Sequence, residues 1–469
     1  MSSISTNFTQ RDYTASLERL FSLLSQEVPE LTDRNHSDGG VSLIRLLARE
    51  TDMLSFYIDE AFIESFLPTA RFRQSLINVG ATVGYTPVLT SAAVSVIRVT
   101  RESGYTTQMS FPRFTEFTRL DGLVYSTMAA SALARGHDYV DVHVIQGVVH
   151  TISLGVQDFS YLDNTNKLKY NLGAGVAAGT VEIIHADESV VWTQVDSFWR
   201  STPTDWHYML DLDGDTDDVY LVIGDGIQGS LLTFGNIDVT YIITDGATGN
   251  CGVGVINIPP SDFLKTVTCS NIEAANGGAS SEGVESIRES VPIVTRAQRR
   301  GVVKEDYQAL VEHLPGVLHC QIVDRNDSLE WPHLYIIMYV VPEGGGAVTT
   351  AMRDILLDEC TTWGHLGTWT GRYLIKDWTE YPVDVSVRVG ISMGYEHASV
   401  IAAIEDACTT FFLPENQGLA LDVDFGELNL ALSKVNGVSW IEFDAPVVDV
   451  DIPNGYMATL GTVSVVIQD

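Results

Sequence analysis

Over residues 1–90 the apolar positions recur at three- and four-residue steps. Leu17, Leu20, Phe21 and Leu24 form a first set; Leu43, Leu46, Leu47, Leu54, Tyr57, Ile58 and Phe62 form a longer one. Such spacing lays each set along one stripe of a helix. Ser37-Asp38-Gly39-Gly40 reads as a stop and cap ahead of the second helix, and Pro68 as its break. A shorter helix from Arg71 to Val79 is expected to end near Gly80. The second stripe has two readings: packing inside its own domain, or bundling with other subunits.

From residue 92 the rhythm changes to short alternating or β-branched runs. They are Val94–Thr100, Thr115–Arg119, Tyr139–Val144, Thr151–Val156, Thr180–Ile184, Val190–Val195, Val219–Ile223 and Ile237–Thr244, with Gly, Asn and Asp between them. Many short strands with turn chemistry predict a barrel or sandwich. The Ser-, Asn- and Gly-rich stretch CSNIEAANGGASSEG has no period and reads as a linker. Beyond it, helices are expected at Lys304–Leu314, Thr349–Trp363, Ala398–Phe412 and Phe425–Val435. Strands are expected at Val317–Val323, Leu334–Val341, Val383–Ser392 and Val438–Phe443. The expected class is a multidomain α+β chain: a helical region 1–91, a β-rich domain 92–262, a linker 263–285, and small α/β domains 286–378 and 379–469. No repeat of the solenoid kind is present.

Charge narrows the function classes. The 469 residues carry 27 Lys and Arg against 61 Asp and Glu, a formal net charge of −34. A phosphate-binding surface needs clustered cations, and Arg299-Arg300 is only a doublet, so no nucleic-acid and no membrane partner is expected. The acidity serves solubility or complements a basic partner protein. No apolar run is long enough for a membrane span, and the polar start MSSISTNFTQRDYT lacks the order of a signal peptide. Five cysteines, Cys251, Cys269, Cys320, Cys360 and Cys408, are scattered without a CxxC pair. They read as idle or buried thiols of a protein made in a reducing cytoplasm.

Several motifs resemble chemistry and fail on context. Gly224–Gly229 spells GxGxxG after an apolar strand, but SLLTFGNIDVTYIIT follows with strand-like alternation, whereas a dinucleotide site needs a helix there. Gly390–Gly394 spells GxSxG, yet the only later histidine is His397, on the same local segment. Asp211, Asp213, Asp215 and Asp217 alternate as calcium ligands can, but the sixth and twelfth loop positions hold Thr216 and Val222 instead of Gly and Glu. That set is at best a weak calcium candidate, and a solvated turn is the simpler reading. His313 and His319 have no ligand spacing, and ordinary surface roles are expected for them. No catalytic residue, cofactor site or enzyme activity is expected.

An ordered series of short motifs resembles the phage baseplate J (wedge) family of Mu-type and related contractile tails. In residues 40–87 it runs through Thr69, Ala70, Arg73, Gly84, Tyr85 and Pro87. In the β-rich part it includes Asp121–Thr127, Ile145-Gln146-Gly147, Ile223–Gly226 and Val239–Asn250. It continues through Asn276-Gly277-Gly278, Glu282, Glu285, Ile287, Arg288, Pro292, Arg300, Val302, Asp306 and Tyr307, and ends at Val435–Val438. Ile223 stands where the family has Phe, and Asn276 departs from the usual Ser or Thr.

The resemblance implies a non-enzymatic wedge subunit in the virion tail baseplate, assembled in the host cytoplasm. Its implied partners are further copies of itself, as dimer and ring, a second wedge protein, the sheath initiator and the tail hub. The N-terminal helices are then expected in an intersubunit bundle, which makes Leu43, Leu46, Leu47, Leu54 and Tyr57 the candidate interface residues. The C-terminal modules are expected to join neighbouring wedges, and glycine content alone marks 272–283 as a candidate hinge. Two other classes compete. One is a receptor- or glycan-binding tail protein, suggested by 18 Tyr and 8 Trp. The other is a virion-associated hydrolase, which would need clustered carboxylates in the 180–230 region.

Overall fold

Asp12 and Asp38 each start a helix by accepting orphan backbone N–H groups. Asp12 takes that of Ala15 at the head of α1 (Tyr13–Glu27), and Asp38 takes those of Gly40 and Val41 at the head of α2 (Gly39–Ile63). These details come from a computed structural model. It describes residues 8, 9, 11–30, 32, 34, 35, 38–162, 167–186, 190–232, 235–297, 303–323, 327, 335–364 and 372–468. Ser37, the Arg299-Arg300 doublet, Val302 and Leu334 lie outside the described residues.

The chain groups into two units, one of Met1–Thr86, Asp213–Thr216 and Gly283–Val291, the other of the remainder. In the first unit, α1 packs on α2, and the Arg45 guanidinium donates to the Tyr13 hydroxyl at 3.2 Å. After α2 the chain turns through Pro68 into α3 (Arg73–Thr82). Burial alone would raise the Glu64 carboxyl, but the backbone N–H groups of Arg71 and Phe72 donate to it and hold it below its ordinary range. Arg288, on α4 (Val284–Ala297), donates to the carbonyls of Leu67 and Ala70 at 3.3 and 2.7 Å and to the Glu285 carboxylate. Motif residues far apart in sequence thus close the turn between α2 and α3.

In the second unit the β-rich part forms several sheets. The largest runs in the order Ile256–Ile258, Glu116–Arg119, Val124–Thr127, Tyr139–Gln146, Val94–Arg101, Val267–Asn271. Its inward side chains, among them Ile97, Phe117, Tyr125 and Val144, are fully buried, together with Phe111 of a separate two-stranded sheet, Met109–Phe111 with Ser131–Leu133. Three-stranded and five-stranded sheets complete this part, centred on Asn236–Ile243 and Asp218–Ile223. The stretch 263–285 is not the slack linker expected. Val267–Asn271 pairs with Val94–Arg101 and buries Val267, Cys269 and Asn271 on alternate positions. Its three buried side chains are too few to register as a period in a run of polar residues.

The C-terminal elements alternate as expected. They are α5 (Lys304–Glu312), strands Val317–Val323 and Tyr335–Pro342, α6 (Thr350–Gly364), strand Arg372–Asp377, strand Thr379–Ile391, α7 (His397–Phe411), α8 (Phe425–Ser433), and strands Val438–Ala445 and Tyr456–Ile467. The class is α+β: N-terminal helices, a β-rich centre and C-terminal α/β elements. The last sheet has the order Val438–Ala445, Thr379–Ile391, Tyr456–Ile467, and Ile404 and Cys408 of α7 with Leu428 and Leu432 of α8 form one core with Val385, Val387 and Val389 of its central strand. Contrary to the surface role expected for it, His319 bonds the Pro414 carbonyl at 2.9 Å, while Gln321 grips Asn454 and Gly455. These bonds tie strand Val317–Val323 to the segments around Pro414 and Asn454. Among the described residues no helix is long and apolar enough to cross a membrane.

One buried carboxyl makes a pH prediction. Burial pushes Glu312 above its ordinary value of 4.5, outweighing the bonds it accepts from the Cys320 backbone and the Gln308 amide. The folded state therefore holds this proton more tightly than the unfolded one. Its stabilising effect is complete below pH 4.5 and is lost as pH rises through the folded value. Glu312→Gln should raise the melting temperature at pH 7, with the gain vanishing as pH falls to 4.5. Thermal melts of both proteins across that range check it.

Candidate assembly interface

On α2 the large apolar side chains and the buried side chains occupy different faces. At ~100° per residue, Leu43, Leu46, Leu47, Leu54, Tyr57 and Ile58 fall within an arc of roughly 120°. Val41, Ala48, Ser55, Asp59 and Ile63, the buried residues of the helix, centre roughly 150° away. The inward face is thus built mostly of small or polar groups. Asp59 is kept there by the Thr9 backbone N–H and hydroxyl, which donate to its carboxylate at 2.9 and 3.1 Å. Small residues permit the close approach of α1, whose own stripe, Leu17, Leu20, Phe21 and Leu24, is half-buried.

The outward face holds the candidate interface residues. Leu43 is 63% exposed, Leu46 and Leu47 each 56%, and Leu54 and Tyr57 each 61%. Met53 and Phe62 flank this surface, and Phe62 packs tilted or edge-on against Phe8 and Phe66 at 4.2 and 4.9 Å between ring centroids. Burying one such side chain contributes about 1.5–3 kcal/mol, so the six stripe residues forgo on the order of 10 kcal/mol in the isolated chain. Scattered exposed leucines are ordinary; a contiguous apolar stripe along a 25-residue helix is a candidate interaction surface.

The chemistry-like motifs take structural roles. In the GxGxxG stretch, Asp225 accepts the N–H groups of Ile227 and Gln228, and Gly226 bonds Gly229. The next regular element is strand Asn236–Ile243, with no helix to receive a pyrophosphate. Gly390 of GxSxG ends a strand and lies against the Trp440 ring, and Met393 beside Ser392 is fully exposed. The four alternating aspartates do not converge. Asp211 lies in strand His207–Leu212, Asp213 accepts the N–H groups of Asp215 and Thr216, and Asp217 accepts the Ser281 hydroxyl. Among the described residues no group of three or more His, Cys, Asp or Glu could hold a metal ion. All five cysteines are free; burial pushes Cys269 up to about 12 and Cys408 to about 11, far from reactive thiolates.

Motifs that are distant in sequence meet in one polar knot of the second unit. Gln146, fully buried, donates to the Asp245 carboxylate at 2.7 Å and accepts from the Asp245 N–H and the Thr244 hydroxyl. Asn250 bonds both backbone groups of Gly278, at 2.8 and 2.9 Å. Asn276 donates to the Ala347 carbonyl, Ser91 to that of Gly277, and the Gly277 N–H to Glu343. The stretch 272–283, a hinge candidate on glycine content, is therefore strapped down through 275–279. Gly278 is there for close backbone approach: a Cβ on it would lie 2.4 Å from the Gly246 carbonyl oxygen. Spacing alone gave no sign that these motifs touch.

Known proteins place this arrangement. Residues 12–82 match the family model described as bacteriophage baseplate protein, N-terminal domain. The baseplate wedge protein gp6 of Enterobacteria phage T4 is 25% identical over 351 residues, covering 66% of this chain and 51% of that protein. The chain thus spans about half the length of this curated relative. A solved structure titled as the cryo-EM baseplate of the anti-feeding prophage, sixfold symmetrised, aligns over 96% of this chain and 90% of that one, with TM-score 0.30 and 12% identity. By these matches residues 12–82 are similar to the N-terminal domain of bacteriophage baseplate proteins, and about two thirds of the chain is similar to a baseplate wedge protein.

Proposed function

We propose, from that kinship, that this chain is a structural wedge subunit of a contractile-tail baseplate or a tail-like injection particle. It holds other subunits in place and turns over no substrate. The observation that supports the proposal is the outward stripe of α2: Leu43, Leu46, Leu47, Leu54 and Tyr57 are each more than half exposed. A helix that is small and polar inside and leucine-rich outside fits a bundle completed by other chains. The finer reading has copies of the subunit pairing through α2 and forming a ring around the tail hub. The second wedge protein and the sheath initiator contact that ring.

The test is microscopy of purified tails or particles in which this subunit carries a gold-binding tag. Label confined to a ring at the tail end is the expected result. Label distributed along the tube, or absent from particles that contain a complete baseplate, would refute the wedge assignment.

A further inference from the structure

We propose that the groove between α7 and α8 is a docking site for a basic amphipathic helix of a different protein, whose cationic side chains meet the acids of the groove while its apolar ones enter it. The groove is a cavity of about 390 Å³. Ala407 and Phe411 of α7, Ala431 of α8, and Leu421 and Val423 from the segment between them give it an apolar lining. Alanine at 407 and 431 leaves space between the helices that larger side chains would fill. Leu421 is 56% exposed, and so is Leu430, one turn along α8 from Glu427.

The walls are fixed before any partner arrives. The side-chain amides of Asn416 and Gln417 donate to the carbonyls of Thr410 and Phe411 at 2.7 and 2.8 Å and secure the end of α7. Val423 and Val450 exchange two backbone bonds at 3.0 Å, and the Ala420 N–H donates to the Tyr456 carbonyl. Through Oδ1, Asp422 accepts the N–H of Ile452, and Asp424 accepts those of Gly426 and Glu427. A groove held in this way loses little freedom on binding.

Charge complementarity chooses among occupants. Asp422, Asp424 and Glu427 line the groove, and among the described residues no Lys, Arg or His does. The surrounding sequence has the same bias: residues 389–469 contain twelve Asp or Glu, one Lys and no Arg. A second copy presenting this face would set acid against acid, and at a net charge of −34 every copy is repelled. Nucleic acid and anionic membranes are repelled for the same reason. A bare cation would satisfy the carboxylates and leave the leucines in water. A helix with leucine-like residues on one face and Lys or Arg beside them satisfies both, and two helical walls suit the insertion of a third helix. This inference uses other residues than the α2 stripe and does not rest on the wedge assignment.

The probe is a dye-labelled amphipathic helix of leucine and lysine, titrated with the full-length chain and followed by fluorescence anisotropy. It should bind, and its counterpart with glutamate in place of lysine should not. Glu427→Lys should weaken binding about tenfold. Glu405→Lys makes the same charge change at an exposed position on the side of α7 away from Ala407 and Phe411, and should alter binding less than about twofold. Ala431→Phe fills the groove without changing its charge and should also weaken binding about tenfold, with helix content by circular dichroism unchanged. Equal losses in the two lysine variants would reveal mere attraction to an acidic surface and overturn the proposal. So would full binding by Ala431→Phe, or no binding of the basic helix by the unmodified chain. Self-association that Glu427→Lys abolishes would give the groove to a second copy and overturn it as well.

Discussion

Replacing Gly278 with alanine should destabilise the second unit by roughly 3 kcal/mol, the upper range for forcing atoms into a packed site. The added Cβ would lie 2.4 Å from the Gly246 carbonyl oxygen and 2.9 Å from Asn250 Oδ1. Neither is the free end of a flexible side chain. Gly246 is tied through its neighbours Thr244 and Asp245 to the buried Gln146, and Asn250 is bound on both sides of its amide to Gly278. Relief therefore requires the strap 275–279 to lift, with loss of the bonds from Ser91 and Asn276. Gly252→Ala is the control, because a Cβ there meets nothing within 4 Å. Thermal and urea melts of the two variants should separate clearly. Equal midpoints would show that the knot is slack and would return 272–283 to the role of hinge.

The second large effect is on assembly and leaves folding intact. Leu47→Glu with Leu54→Glu should weaken self-association or incorporation into baseplates by two or more orders of magnitude, since about 1.4 kcal/mol is each tenfold and two leucines supply roughly 3–6. The melting temperature of the dilute chain should hardly move, because both side chains are already more than half exposed. Ala48→Glu should behave in the opposite way: Ala48 is fully buried where α1 and α2 pack, so a carboxylate there should unfold the helix pair. Light scattering and circular dichroism on the three proteins distinguish these outcomes. A loss of melting temperature in the double-glutamate chain would mean that the stripe packs within its own fold.

Most elements could be read from local pattern. The stripes of α1 and α2, the strands Val94–Arg101 and Val317–Val323, and helices α6, α7 and α8 follow from periods of 3.6 or 2. Outside that set stand α4, which begins inside the stretch read as a linker, and several strands of short or broken period. Met109–Phe111 and Ser131–Leu133 are three residues each, and Tyr456–Ile467 contains a register shift. That last strand also pairs in parallel with Thr379–Ile391, a partner across two helices that no local signal announces. The resemblance motifs were visible as words. Their joining into one buried knot was not, since hydrogen bonds between Gln146 and Asp245, or Asn250 and Gly278, depend on how distant segments fold back.

By itself the sequence determined the acidic character, the α+β class and the existence of an apolar stripe on α2, because each depends on residue type or near-neighbour spacing. Only the tertiary structure decided which face of α2 turns inward. The inward choice rests on long-range details: the burial of small residues such as Ser16 and Ala48 on the packed helices, and the pairing of Asp59 with Thr9. Hydrophobicity alone would have put the leucines inside. A satisfied buried carboxylate and small side chains occupy the inward face instead, and the leucines lie on the exposed one.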